Sequence, residues 1–179
     1  MTQTAKVYGG SLYDLAVEEN MTEELLEQSG EIRKLFWENP EYLQLLGEPS
    51  LAKEERLGLI EEAFGASADR YLVNFLKLLC ERGILAEFAG CCEEYVRRYN
   101  EDHNIAEAVV IGAWKLTDEQ MGALQKKLEA QYGKKIHLSQ KTDPTVLGGL
   151  KVELEGVELD GTVKGRLSGI QSKLKDIMI

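Results

Sequence analysis

A chain of 179 residues with 44% hydrophobic and 29% charged side chains has room for one large packed domain or two small ones. Its 3 prolines exclude long polyproline linkers, and no apolar run approaches the roughly 18–20 residues a bilayer span requires. The net charge of −10 makes nucleic acid a poor partner, because that binding rests on Lys and Arg neutralising phosphates.

The first hundred residues read as helix after helix. The opening MTQTAKVYGG has neither the apolar core of a secretory signal nor the Arg- and Ser-rich character of a transit peptide. A soluble protein inside a bacterium is the simplest reading, and a processed organelle protein would look similar. Tyr8, Leu12, Leu15 and Ala16 sit near helical spacing over residues 5–19. Gly9 and Gly10 fall inside that helix at about 1 kcal/mol each relative to Ala, which points to a close approach by a neighbour or to a weak first turn. A second helix begins near Thr22, with Asn20 or Thr22 as cap and Leu25, Leu26, Ile32, Leu35 and Phe36 inward. Asn39-Pro40 opens a short third helix, stopped by Gly47 and Pro49. Ser50 caps a fourth, with Ala52, Leu59, Ile60, Ala63 and Phe64 inward and Gly65 at its end. Ser67 opens a fifth through Leu72, Phe75, Leu76 and Leu79 to Gly83. In the sixth, Ile84, Leu85, Phe88, Ala89, Cys92, Tyr95, Val96 and Tyr99 hold one face. Short loops favour a compact antiparallel bundle.

Near residue 105 the period changes. Ala106–Ala113 is a strand-length, β-branched run. Thr117 and Gln120 form a capping box for a helix carrying Met121, Leu124, Leu128 and Tyr132, ended by Gly133. Residues 135–140 alternate, with Ile136 and Leu138 on one side. Residues 150–155 alternate strictly, and Glu155-Gly156 turns into a strand from Val157 to Leu159. Val163, Leu167, Ile170, Leu174 and Ile177 then form an a/d stripe on a last helix, expected to pack on its own sheet. The expected fold is mainly α: a six-helix bundle over residues 1–105, then a small α/β domain over 106–179 in the order β-α-β-β-β-α. Residues 1–105 carry 21 acidic and 10 basic side chains, while 106–179 carry 10 acidic and 11 basic. That asymmetry suggests two domains with different partners.

No catalytic constellation emerges. Glu18-Glu19, Glu23-Glu24, Glu54-Glu55, Glu61-Glu62 and Glu93-Glu94 are helical neighbours pointing about 100° apart, so they do not converge. Cys80, Cys91 and Cys92 lack metal-site spacing, and His103 and His137 are far apart in sequence, so the thiols read as buried helix residues. A Cys91–His103 dyad would lie within or beside one helix and is weak. Gly148-Gly149 invites a phosphate-loop reading, but no GK[ST] follows and the glycines lead into a strand. They read as a tight turn, and Asp160-Gly161 as a turn and cap. What remains is surface for other proteins, in an adaptor or a structural subunit; no cofactor is expected.

Residues 143–174, DPTVLGGLKVELEGVELDGTVKGRLSGIQSKL, resemble the C-terminal signature of the ATP synthase delta subunit and oligomycin-sensitivity-conferring protein family. Asp143-Pro144, Gly148-Gly149, the alternating strand, Asp160-Gly161-Thr162-Val163 and the spaced Leu167 and Leu174 stand in the family's order. Asn74–Gly83 resembles its phenylalanine, paired-leucine, acid, basic, glycine run. Tyr8–Ala16 resembles its first helix, with Gly9 and Gly10 where other small residues are usual.

The resemblance implies a non-catalytic stator subunit with neither nucleotide nor metal. It would be peripheral on the cytoplasmic side of a bacterial plasma membrane and monomeric within the complex. The bundle would bind N-terminal segments of alpha subunits, one of them as a helix against the first and fifth helices. The C-terminal domain would engage the b subunits of the peripheral stalk. Carried over by position, the alpha-binding groove comprises Tyr8, Leu12, Leu15, Val73, Leu76 and Lys77. Asp143, Pro144, Gly148, Gly149, Asp160 and Gly161 are structural. The acidic bundle would meet a partly basic alpha segment.

Overall fold

The computed structural model describes residues 1–48, 50–146 and 148–163. Its helices are α1 (Gln3–Glu18), α2 (Thr22–Glu38), α3 (Pro40–Leu46), α4 (Lys53–Phe64) and α5 (Arg70–Glu81). A 3₁₀ turn, Leu85–Glu87, leads into α6 (Phe88–Asp102). Strand β1 (Ile105–Gly112), helix α7 (Asp118–Tyr132) and strands β2 (Lys135–Thr142), β3 (Leu150–Leu154) and β4 (Val157–Asp160) follow. The chain divides into two compact units between Tyr99 and Asn100. The expected β-α-β-β-β order is present; the last helix, with Leu167, Ile170, Leu174 and Ile177, lies outside the described residues, and Val163 is exposed.

In the helical unit, each helix buries one stripe. In α2 it runs Leu25, Ser29, Ile32, Phe36. Leu35, expected inward, lies off that stripe and is exposed, because adjacent helical positions are rotated by about 100°. Ala52, Ala63 and Ala89 are likewise exposed, being small residues beside the larger side chains that define the buried face. Phe36 is the aromatic centre, edge-on to Phe64 and Phe88 at 5.8 and 5.6 Å between ring centres. Tyr13 of α1 meets Tyr95 of α6 edge-on at 5.1 Å, and the Tyr95 hydroxyl donates to the Thr22 carbonyl. Such aromatic pairs add about 0.5–1.5 kcal/mol each beyond area burial.

Three helix starts differ from the sequence reading. α2 begins at Thr22 itself, after Asn20 turns the chain with φ 58°. α4 begins at Lys53, where the Ala52 N–H donates to the Glu55 carboxylate; the Ser50 hydroxyl instead reaches Glu48. α5 is capped by Asp69, not Ser67: Asp69 Oδ1 accepts from the Tyr71 N–H at 2.7 Å. Asn39 also serves a different helix end, its amide donating to the Leu35 carbonyl at the end of α2.

The second unit is a sheet in the order β2-β1-β3-β4. β1 pairs parallel with β2 and antiparallel with β3, and β3 pairs antiparallel with β4. Alternation sends Ala106, Ala108 and Val110 of β1, Ile136 of β2, and Val152 and Leu154 of β3 into one core with Leu128 of α7. The capping box forms as expected: Thr117 Oγ1 accepts from the Gln120 N–H, and the Gln120 side chain accepts from the Thr117 N–H. Gly133 closes α7 in the left-handed conformation, φ 65°.

Candidate protein-binding surfaces

The approach of α1 to α6 rests on the two glycines of α1. A Cβ on Gly9 would lie 2.9 Å from Cα of Cys91 and closer still to its carbonyl oxygen; one on Gly10 would lie 2.7 Å from the Arg98 guanidinium carbon. At Gly9 backbone contact thus replaces side-chain packing, while at Gly10 the Arg98 side chain takes the space. Beside it lies a charge cluster. The Glu94 carboxylate, 3% exposed, accepts from Arg97 (2.6 and 2.8 Å) and from Arg98 (3.1 Å), and Arg98 also reaches Asp14 of α1 at 2.8 Å. The Arg97 hydrogen bond is the leading cause that holds the Glu94 carboxyl below the usual range, with that from Arg98 adding to it and burial opposing both.

The six residues expected to form the alpha-binding groove separate by depth. Leu12 is 2% exposed, Val73 4% and Leu76 0%, all within the bundle core. Tyr8, Leu15 and Lys77 are half-buried and offer surface, and the Lys77 ammonium pairs with Glu61 of α4. The thiols face inward. Burial pushes Cys91 up to about 11 and Cys92 up to about 12, and raises Cys80 above its ordinary value. A buried neutral thiol is a poor nucleophile, and His103 is exposed. Among the described residues no group of three or more His, Cys, Asp or Glu is placed to hold a metal ion.

In the second unit the glycine and aspartate positions meet. Gly149 has φ 85°, and a Cβ there would lie 2.8 Å from Cα of Thr162. The Gly161 N–H donates to the Leu150 carbonyl and the Val163 N–H to that of Gly148. Asp160 Oδ1 accepts from the Thr162 N–H at 2.8 Å. Asp143 turns the chain after β2 by accepting from both the N–H and the hydroxyl of Thr145, which lowers its pKa. Pro144 sits in that turn, exposed. These residues are joints of the backbone.

The model of the ATP synthase delta (OSCP) subunit family matches residues 4–174. The chain belongs to this family. An ATP synthase subunit delta from Geobacillus sp. (strain WCH70) is 33% identical over 171 residues, covering 95% of this chain and 96% of the relative. One from Alkaliphilus oremlandii (strain OhILAs) is 29% identical over 175 residues, covering 98% and 97%. A chain of the Toxoplasma gondii mitochondrial ATP synthase hexamer shares the fold, with a TM-score of 0.73 at 16% identity over 97% of this chain and 98% of that one. As a delta/OSCP-family member the chain is a non-catalytic stator subunit, linking the head of an ATP synthase to its peripheral stalk. Among the described residues no helix is long and apolar enough to cross a membrane.

Two surface features of this delta/OSCP-family chain went unremarked in the sequence. Trp114, in the loop after β1, is 67% exposed, and Trp37, near the end of α2, is 86% exposed. Trp37 borders an open groove of about 1010 Å³ between α2, α3 and the start of α6. The signal was available only in part: each tryptophan is followed by a charged residue, Glu38 or Lys115, but is preceded by apolar or small ones.

Proposed function

We propose that the helical unit docks N-terminal segments of alpha subunits of the head, and that residues 106–179 engage the b subunits of the peripheral stalk. The subunit then keeps the head from turning with the rotor on the cytoplasmic side of a bacterial membrane. The observation that carries this reading is the family match over residues 4–174, which spans both units. The excess of acid in residues 1–105 and its absence from 106–179 support different partners for the two. Tyr8 and Leu15 supply half-exposed apolar area on α1, while Leu12, Val73 and Leu76 hold the helices behind it.

The experiment is titration of a synthetic alpha N-terminal peptide into the full chain, repeated with Tyr8→Asp and Leu15→Asp. Each variant should weaken binding at least about tenfold, as expected for a central apolar anchor. Wild-type affinity in both would remove the α1 contact from the proposal. Affinity should also fall between low and high salt, and a constant value would refute the electrostatic part. Recovery of alpha and b subunits with the tagged chain tests the two-ended arrangement.

A further inference from the structure

Strand β2 is an edge of the four-stranded sheet. Its parallel ladder with β1 uses every second residue. The Lys135 N–H donates to the Asn104 carbonyl and, just past the strand, the Asp143 N–H donates to that of Gly112. The backbone groups of Ile136, Leu138 and Gln140 therefore point outward, away from β1. An open row of this kind is a template for another strand. At Ile136 the row is closed from within the chain. The Ile136 N–H donates to Glu129 Oε1 at 3.2 Å, and its carbonyl accepts from Gln125 Nε2 at 2.9 Å. Gln125 Nε2 also donates to Glu129 Oε1 at 3.2 Å. These two half-buried side chains, one turn apart on α7, offer Ile136 one acceptor and one donor, as a residue of an antiparallel neighbour does. Among the described residues no hydrogen bond meets the outward groups of Leu138 and Gln140.

Charge and register select the strand that fits the row. Antiparallel pairing of β2 with its own copy, about a two-fold axis at Ser139, sets Leu138 opposite Gln140 and Ile136 opposite Thr142. The same register sets Lys135 opposite Asp143 and Lys141 opposite His137. Moving the axis to Leu138 instead sets Lys135 opposite Lys141, a repulsive pair. We propose that the Gln125–Glu129 clasp is an autoinhibitory contact: it holds the β2 edge shut against a second copy of this chain, which otherwise pairs through β2 about Ser139. The inference concerns the free chain and rests on neither proposed subunit contact.

The test uses the full chain, with its mass read by light scattering after gel filtration. The parent and Glu129→Gln, which keeps an acceptor for the Ile136 N–H, should run as monomers. Gln125→Ala combined with Glu129→Ala should run as a dimer, with self-association at least about tenfold tighter than in the parent. Adding Ser139→Glu sets two carboxylates face to face at the axis and should restore the monomer. Ser139 is exposed, so this third change leaves the core alone. A parent dimer overturns the proposal. So does a double variant that stays monomeric with an unaltered circular dichroism spectrum, or a dimer indifferent to Ser139→Glu. An open series of larger species also overturns it, because that places β4 of one copy on β2 of the next. Where the double variant does not fold, Gln125→Ala alone is read in the same way. In the parent, the Ile136 amide should exchange with solvent at least about tenfold more slowly than those of Leu138 and Gln140, and equal rates overturn the clasp.

Discussion

Replacing Gly9 by Ala sets two effects of opposite sign against each other. Helix propensity favours Ala by about 1 kcal/mol. Packing opposes it, because the new Cβ would lie 2.9 Å from Cα of Cys91, inside the roughly 3.5–4.0 Å optimum for two carbons. The obstacle is backbone, so no rotamer change relieves it; α1 and α6 must part by about 0.6–1 Å. That movement loosens the Tyr13–Tyr95 pair and the Asp14–Arg98 contact together. Overpacking of this kind costs about 1–3 kcal/mol and up, the higher end applying where neither side can yield. The net expectation is a loss of about 1–2 kcal/mol, or a urea midpoint lower by about 1 M. Each unit contains one tryptophan, Trp37 or Trp114, so Trp114→Phe confines the fluorescence signal to the helical unit. Gly58→Ala in α4 and Gly122→Ala in α7 are the controls. Nothing lies within 4 Å of either Cβ, and each should stabilise its unit by about 0.5–1 kcal/mol. A Gly9→Ala midpoint at or above that of the parent would refute the close-approach argument.

The same logic at Gly149 adds backbone strain. With φ 85° and a Cβ 2.8 Å from Cα of Thr162, Gly149→Ala should destabilise the second unit by about 2 kcal/mol or more, read from Trp114 in a Trp37→Phe background. Glu94→Gln should weaken the helical unit by about 1–2 kcal/mol at neutral pH, because Arg97 and Arg98 lose a charged acceptor. The folded-state pKa of Glu94 is depressed, so its contribution is complete above the unfolded value near 4.3 and is lost as pH falls through the folded one. Urea midpoints between pH 7 and 3 should therefore fall less in Glu94→Gln than in the parent, and parallel curves would contradict the assignment. Native Cys80, Cys91 and Cys92 should resist a thiol reagent at pH 8 and all react in urea, since burial raises each pKa. Rapid labelling of the native chain would show that the bundle opens.

Local chemistry was legible wherever one residue type answers one geometric need. The Thr117–Gln120 box and Gly133 follow from unsatisfied helix-end groups, and Glu155-Gly156 forms its turn with both residues at positive φ. The glycines of α1 announced a close approach, though not that Cys91 and Arg98 would be the neighbours. The start of α4 was misread because Ala52, which has no capping side chain, is the boundary and its N–H is met by Glu55 instead; that of α5 was misread because the candidate caps are chemically alike. Ser67 and Asp69 can both cap; tertiary structure decides, since the Gln28 side chain on α2 accepts from the Asp69 N–H at 2.7 Å and pins that residue as the boundary. The expected groove shows the deeper limit. Periodicity marks Leu12, Val73 and Leu76 as apolar positions on α1 and α5, but a period cannot tell a groove from a core. The groove at Trp37 was hidden for the converse reason: Gly30 and Ala89 contribute by lacking side chains, and they meet only when α2 and α6 pack.

Why a family signature without chemistry identifies this chain so well follows from the same geometry. Gly149 lies against the Gly161-Thr162 backbone, and Asp160 and Asp143 each satisfy an N–H that their turns would leave open. Gly149 and Asp160 thus fix where β3 begins and β4 ends, and Asp143 fixes the turn that follows β2. A subunit that transmits force without catalysing anything has few residues that only one side chain can fill, and those few are backbone joints. Contact surfaces are different. In the proposed α1 contact a partner helix would tolerate many apolar residues at Tyr8 or Leu15, provided area and charge sign are kept. The positions easiest to recognise are therefore those farthest from the binding event, and the binding surfaces must be read from exposure and unpaired charge.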